Sequence, residues 1–353
     1  MELRQLVKEV PYLLETKGDM SVEIAALCSN SREKTENGIF FCFAGAHFDA
    51  HQYAPQAVQN GCVALVVERF LDDVNVPQVL VSNGRAAMAR ICEAFFNHPE
   101  RKMRFVGITG TKGKTTTSYM VKSICEQAGF KCGLVGTTGN MIGEKHIPSS
   151  KTTPDPIDLM RDLNEMVQAG VQVVVMEVSA HALDMHRLDG MTFECGCYTN
   201  LSQDHLDYFG TMENYFQCKK AFFTSGMAKN AAINADDERA AELLETIPAE
   251  RIERIILLHD LTNTQLCRMA AADMVRRGCR GHILNMSSYS LWMPFPGLAL
   301  YSASKAYLRS FSVAFAKEVR EHGIRVTAVC PAGVATDLYG LTPRWQRIGT
   351  RLG

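Results

Sequence analysis

Met103-Arg-Phe-Val-Gly-Ile-Thr-Gly-Thr-Lys-Gly-Lys-Thr-Thr-Thr117 decides how this chain is read. A short β-branched run enters a Gly-rich turn and then a pattern that predicts a helix from about 115 to 129. In that setting glycines let backbone N–H groups turn inward around a phosphate, and the helix N-terminus adds positive potential. Gly110, Thr111, Lys112, Gly113, Lys114, Thr115 and Thr116 are the expected cradle. Lys114 would reach the β- and γ-phosphates and the Thr115 hydroxyl would ligate Mg²⁺. The strict GxxxxGK[ST] spacing is not met, because position 108 is Ile.

Downstream, the apolar run Val171-Gln-Val-Val-Val-Met ends in Glu177, the strand end where α/β folds place metal-binding carboxylates. Asp204-His-Leu-Asp207 follows a strand-like Cys197-Tyr-Thr-Asn200, and Lys219 and Lys220 come a short helix later. Upstream, apolar runs at 38–43, 61–67 and 76–81 alternate with helix-like stretches at 53–59 and 84–96. That alternation predicts a small α/β domain over residues 1–100, closed by the polar connection Asn97-His-Pro-Glu-Arg-Lys.

With 353 residues the chain is too long for one ordinary core. Hydrophobic residues at 46% and charged residues at 21% describe a globular protein. The 37 Lys+Arg against 38 Asp+Glu argue against an electrostatic grip on nucleic acid or an anionic membrane. The twelve cysteines contain no CxxC pair, which predicts reduced thiols and a cytoplasmic protein. There is no apolar run of membrane-spanning length and no leader-like N-terminus, so neither a membrane span nor secretion is expected.

Taken in order, these motifs resemble those of the Mur ligases. The strings are Ile108-Thr-Gly-Thr-Lys-Gly-Lys-Thr-Thr, Thr152-Thr-Pro-Asp, Met176-Glu-Val-Ser-Ala-His-Ala-Leu, Thr199-Asn-Leu-Ser-Gln-Asp-His-Leu-Asp, Tyr215-Phe-Gln-Cys-Lys219 and Asn234-Ala-Asp-Asp. The resemblance is strongest to the branch that adds the third amino acid to UDP-N-acetylmuramoyl-L-alanyl-D-glutamate, and it covers about residues 20–248. It implies a uridine-nucleotide domain over 1–100 and a central P-loop-type ATPase domain over 101–250 with a mainly parallel sheet. It implies an ATP-dependent ligase of peptidoglycan precursor synthesis that adds diaminopimelate or lysine through an acyl phosphate. Lys114, Glu177, His205 and Lys219 would be catalytic. Thr115, Glu177, His205 and Lys219, carbamylated in the family, would hold Mg²⁺. Ser31, His47, Thr152, Thr153, Ser179 and Arg187 would contact the UDP-muramoyl-dipeptide, with Ser31 and His47 near the uracil. Ala180 and Met185 replace a common Ser and Gln without removing a catalytic group.

Residues 251–353 carry different strings. A Mur ligase continues into a third domain that closes over ATP and supplies the amino-acid pocket, and its Asp-Asn-Pro-Arg signature is absent from this sequence. On that ground turnover by this chain alone is not expected. Tyr301-Ser-Ala-Ser-Lys305 puts a phenol and an ammonium on one helical face, where the lysine would lower the phenol pKa. With Asn285-Met-Ser-Ser288 and Val329-Cys-Pro-Ala-Gly this resembles the second half of a short-chain dehydrogenase over about 256–340. The resemblance implies a Rossmann-like fragment with Ser288, Tyr301 and Lys305 as an alternative oxidoreductase site using NAD(P). The family's TGxxxGxG half is missing, so a dinucleotide site is not expected, and the surviving strands should present open edges. The junction near 248–258 has no Gly/Ser-rich spacer, as a fusion of two unrelated pieces would leave it.

Overall fold

The computed structural model describes residues 1–45, 48–234, 237–248, 258–278, 280–288 and 299–330. The chain divides into two compact units, Met1–Ile233 with Glu242–Arg251, and Asn234–Ala241 with Ile252–Gly353.

The first unit holds two sheets. After a one-turn helix α1 (Leu3–Leu6) come β1 (Leu13–Lys17), β2 (Ala26–Cys28), β3 (Gly38–Phe41), α2 (Ala54–Gln59), β4 (Cys62–Val67), β5 (Gln78–Val81) and α3 (Gly84–Phe95). Their sheet order is β1-β5-β4-β3-β2, parallel except for β1. All five residues of β1 are exposed, so no inside–outside alternation marks that strand in the sequence. Phe40, Leu65 and Val67 close a core with Cys28, Cys42 and Cys62, and no described cysteine is in a disulfide.

The second sheet comprises β6 (Arg104–Thr109), β7 (Cys132–Val135), β8 (Asn140–Ile142), β9 (Lys145–Ile147), β10 (Val173–Glu177), β11 (Cys195–Tyr198) and β12 (Ala231–Ile233). Its order is β12-β11-β6-β10-β7-β8-β9, parallel from β12 to β7, with β8 antiparallel to both β7 and β9. The helices are α4 (Lys114–Gln127), α5 (Pro156–Gln168), α6 (Ala180–Asp184), α7 (Leu206–Phe209), α8 (Met212–Thr224) and α9 (Ala240–Thr246). β6 is a central strand, so its C-terminal end, where the loop 110–113 begins, lies between the ends of β10 and β11.

Small residues set how closely α8 approaches this sheet. A Cβ on Gly107 of β6 would stand 2.6 Å from Phe222, and one on Gly196 of β11 would stand 2.7 Å from the same ring. Phe222 therefore packs directly on the strand backbones, edge-on to Phe193 at 5.1 Å between centroids. Lys219 lies one turn before Phe222, and this seating carries it to the phosphate-loop end of β6.

The second unit has α10 (Leu258–Arg276), β13 (Gly281–Met286), α11 (Ala299–Glu318) and β14 (Ile324–Val329). β13 and β14 pair in parallel with α11 between them in sequence. Cys267, Ala271, Ile283, Phe315, Val319 and Ile324 form its core. Leu284 of β13 remains 61% exposed, the uncovered apolar surface expected of so small a sheet. The expected helix and strands are therefore formed, but a βαβ element recurs across α/β folds and does not of itself make a dinucleotide site.

Candidate functional site

The loop after β6 needs glycine at two points. Gly110 has φ +142°, and a Cβ there would collide with the Thr199 hydroxyl. Gly113, at φ +84°, caps α4 in the left-handed region, and a Cβ on it would meet nothing within 4 Å. The loop mouth is thus open where the first-turn N–H groups of α4, including those of Thr115 and exposed Thr116, have no helical acceptor.

The segment after β11 braces the loop from behind. Asn200 accepts the Thr111 N–H on its carbonyl (2.9 Å) and the Lys112 N–H on its side-chain oxygen (2.9 Å). Thr199 donates to the Lys112 carbonyl at 2.7 Å, and the Thr111 hydroxyl accepts from Ser202 N–H at 3.0 Å. The loop is fixed before any ligand arrives.

Glu177, at the end of β10, is fully buried. Its Oε2 accepts from the hydroxyls of Thr115 (3.0 Å) and Thr137 (3.1 Å), and its Oε1 from the Thr137 N–H (3.0 Å). Thr137 Oγ1 lies 3.0 Å from Thr152 Oγ1. Thr153 donates to the Glu177 carbonyl at 2.7 Å and accepts the Ser179 N–H at 3.2 Å, while Ser179 caps α6. Arg187 donates to the Thr153 carbonyl at 2.8 Å and pairs with Asp155 at 3.0 Å. One bonded chain therefore joins Thr115, Glu177, Thr152, Thr153, Ser179 and Arg187. Hard oxygen donors of Thr115 and Glu177 at this separation suit Mg²⁺.

Two lysines meet at the loop. Half-buried Lys114 donates to the carbonyls of Gly110 and Thr111, both at 2.9 Å, and buried Lys219 donates to the same Gly110 carbonyl at 3.1 Å. Burial first, and the Lys114 charge second, hold the Lys219 amine down to about 7. Burial also lowers Lys114, against the attraction of Glu177 and Asp204. Lys219 lies 4.4 Å over the Tyr215 ring. His205, with left-handed backbone at φ +53°, stands 6.0 Å from that ring and edge-on to His181 at 4.7 Å.

This Lys219 shift has a testable sign. The unfolded chain binds more protons than the folded one between about pH 7 and the ordinary lysine pKa, so stability must rise with pH across that window. From pH 7 to 9 the unfolding free energy of the wild type should gain about 2 kcal/mol on Lys219→Met, from the 1.4 kcal/mol per unit linkage. Denaturant titrations giving a pH-independent difference would contradict the assignment.

Ser31 lies in the loop after β2, where its hydroxyl donates to Gln56 at 2.9 Å. His47 falls outside the described residues. In the second unit Ser287, the neighbour of Ser288, donates to the Lys305 carbonyl at 2.7 Å, which ties the end of β13 to α11. Tyr301 lies on α11, but its side chain is outside the described part. Thr137 takes part in the site without having been picked out from the sequence, and Asn200 and Asp155 stand in the quoted strings with no role assigned to them there. Thr137 follows the short strand β7, and only its place opposite Glu177 reveals its role.

Comparison with known proteins gives the geometry a family. The family described as Mur ligase middle domain matches residues 108–302. A UDP-N-acetylmuramoyl-L-alanyl-D-glutamate–2,6-diaminopimelate ligase of Caldanaerobacter subterraneus is 44% identical over 248 residues, covering 70% of this chain and 51% of that protein. A ligase of the same name, numbered 1, from Clostridium acetobutylicum is 37% identical over 288 residues, covering 80% and 59%. A solved structure of such a ligase superposes with a TM-score of 0.60 at 26% identity, covering 70% of this chain and 49% of that one. The chain thus spans about half the length of the curated relatives it matches. The dehydrogenase resemblance drawn for 256–340 finds no support in these comparisons, and the middle-domain match runs through 251–302, where that fragment was placed. The oxidoreductase reading through Ser288, Tyr301, Lys305 and NAD(P) is set aside accordingly. With more than half of its residues inside that match, the chain belongs to the Mur ligase family.

Proposed function

We propose that this chain serves peptidoglycan precursor synthesis in the cytoplasm as an ATP-dependent acid–amino-acid ligase acting on UDP-N-acetylmuramoyl-L-alanyl-D-glutamate. The incoming amino acid is diaminopimelate, following the names of its relatives. Residues 1–100 take the uridine-nucleotide end through Ser31 and His47, and residues 101–250 take ATP and the peptide carboxylate. The observation that carries the reading is the bonded set Thr115–Glu177–Thr137, with Lys114 and Lys219 on one loop carbonyl.

In this reading the loop N–H groups and Lys114 bind the β- and γ-phosphates. Thr115, Glu177, His205 and a carbamylated Lys219 hold Mg²⁺, which supplies neutralising charge to the phosphates when bound. A lysine held down to about 7 exists substantially as the free amine, the form that adds CO₂. Thr152, Thr153, Ser179 and Arg187 orient the substrate carboxylate toward the γ-phosphate. That carboxylate oxygen attacks phosphorus, ADP leaves, and the acyl phosphate forms. In a ligase that also carries the third domain's amino-acid pocket, the amine then attacks the acyl carbon, inorganic phosphate departs, and an amide bond results.

Hydroxylamine intercepts acyl phosphates without needing an amino-acid pocket. The chain incubated with Mg-ATP, UDP-muramoyl-dipeptide and hydroxylamine should release ADP and form the hydroxamate in equal amounts. ADP release independent of the muramoyl nucleotide, or no hydroxamate, would contradict the proposal.

A further inference from the structure

A second cluster lies away from the phosphate loop, where α3 hands over to β6. Glu93 is on the last turn of α3, and His98 and Glu100 are on the connection that follows. Ligand atoms of the three lie within 4.8 Å of one another. Glu93 and Glu100 are both buried, with side chains 0% and 3% exposed. Each keeps one carboxylate oxygen, Glu93 Oε1 and Glu100 Oε2, enclosed and without any hydrogen-bond partner. Their other oxygens are taken, by Arg90 at 2.8 Å, and by His98 Nδ1 at 3.0 Å and Arg101 at 3.3 Å. Gly190, at φ +94°, lets the Arg90–Glu93 pair pack against its backbone, since a Cβ there would collide with Arg90 and stand within 2.5 Å of both Glu93 oxygens.

Glu93 interacts with Glu100, Asp189, Arg90 and Arg101, and Glu9 joins through Arg101 (2.6 Å) and His98 (3.9 Å). Asp189 has partners of its own in His186 (3.2 Å) and the Tyr12 hydroxyl (2.7 Å), whereas the enclosed oxygens of Glu93 and Glu100 have none. Burial first, and the Glu100 charge second, push the Glu93 carboxyl up to about 8, so the pair holds a proton that a cation seated between the two enclosed oxygens would displace. One imidazole and two carboxylates are a donor set for zinc-class cations rather than for Mg²⁺ or Ca²⁺. Bonds of about 2.1 Å put neighbouring donors about 3.4 Å apart, within a small side-chain adjustment of the observed spread.

We propose that Glu93, His98 and Glu100 bind one divalent cation of the zinc class, fastening the end of α3 to the connection that enters β6. The site is separate from the Mg²⁺ pole at Glu177, and its occupancy stiffens the strand from which the phosphate loop springs.

Co²⁺ is the probe, because its visible d–d bands report bound N/O ligands and its thiolate charge-transfer bands mark cysteine binding. The full chain carrying Glu177→Gln, which removes the carboxylate of the other metal pole, is stripped with chelator and titrated. One equivalent should bind with d–d bands and no thiolate band. Adding His98→Asn, chosen because asparagine tolerates the left-handed backbone at φ +52°, should weaken binding at least tenfold. Adding Glu100→Gln should do the same, with circular dichroism confirming the fold of each variant. Absence of bound Co²⁺, a thiolate band, or equal affinity in the folded variants would overturn the proposal.

Discussion

Replacing Lys114 by alanine should weaken Mg-ATP binding about 100-fold while leaving the ligand-free protein as stable as the wild type. The magnitude follows from a charge-assisted hydrogen bond, about 1.5–3 kcal/mol, at 1.4 kcal/mol per decade of affinity. The second half of the expectation comes from geometry. Lys114 shares the Gly110 carbonyl with Lys219, and its charge is one of the two causes that lower the Lys219 amine. Deleting it costs two bonds to loop carbonyls but relieves the repulsion between two partly dehydrated cations. A polyanion relieves the same repulsion in the wild type, which is why the loss shows in binding. Calorimetric titration with Mg-ATP, alongside denaturant unfolding of the free protein, measures both quantities. Unchanged affinity would remove Lys114 from the phosphate site.

Glu177 is the other large effect, and two substitutions divide its roles. Glu177→Ala removes the acceptor of three hydrogen bonds in a fully buried position. The two hydroxyls can turn elsewhere, but the Thr137 N–H cannot, and a cavity remains. A loss of about 2–4 kcal/mol in folding stability is expected from the orphaned donor and the void together. Glu177→Gln keeps the volume and one acceptor oxygen, so stability should fall by only about 1 kcal/mol. It removes the negative charge, however, and with it the hard anionic donor beside Thr115. The Mg²⁺ concentration needed for ATP binding should rise at least tenfold in Glu177→Gln, the loss expected when a carboxylate ligand is neutralised. Equal Mg²⁺ dependence in Glu177→Gln and wild type would make Glu177 a purely structural acceptor.

The phosphate loop was legible because three local signals coincide there: a β-branched run, glycines where the backbone must turn left-handed, and a helix that begins at once. Glu177 was legible for a related reason, standing where an unbroken apolar run stops. Thr137 was not, because its importance depends on β7 and β10 being neighbours in the sheet, a long-range pairing no local pattern encodes. β1 escaped because an exposed edge strand carries no alternation, and β8 and β9 because three-residue strands are too short to show a period. The second unit teaches the opposite lesson. Its strands β13 and β14 and the helix that carries Tyr301 and Lys305 are formed, yet the family inferred from Tyr301, Lys305 and Ser288 gained no support from relatives. Local patterns specify a βαβ element well and specify its ancestry poorly. Glu93, His98 and Glu100 passed unnoticed because they converge only through the turn at Asn97 and His98, both left-handed.

The central claim is that residues 110–116, Glu177 and Lys219 form a preorganised seat for Mg-ATP. Thermal unfolding of the full chain with and without Mg-ATP tests it most directly. Nucleotide at 100 times its Kd should stabilise the native state by about 2.7 kcal/mol, and Lys114→Ala under the same conditions should lose nearly all of that gain. A midpoint that Mg-ATP leaves unmoved in the wild type, or moves equally in Lys114→Ala, would contradict it.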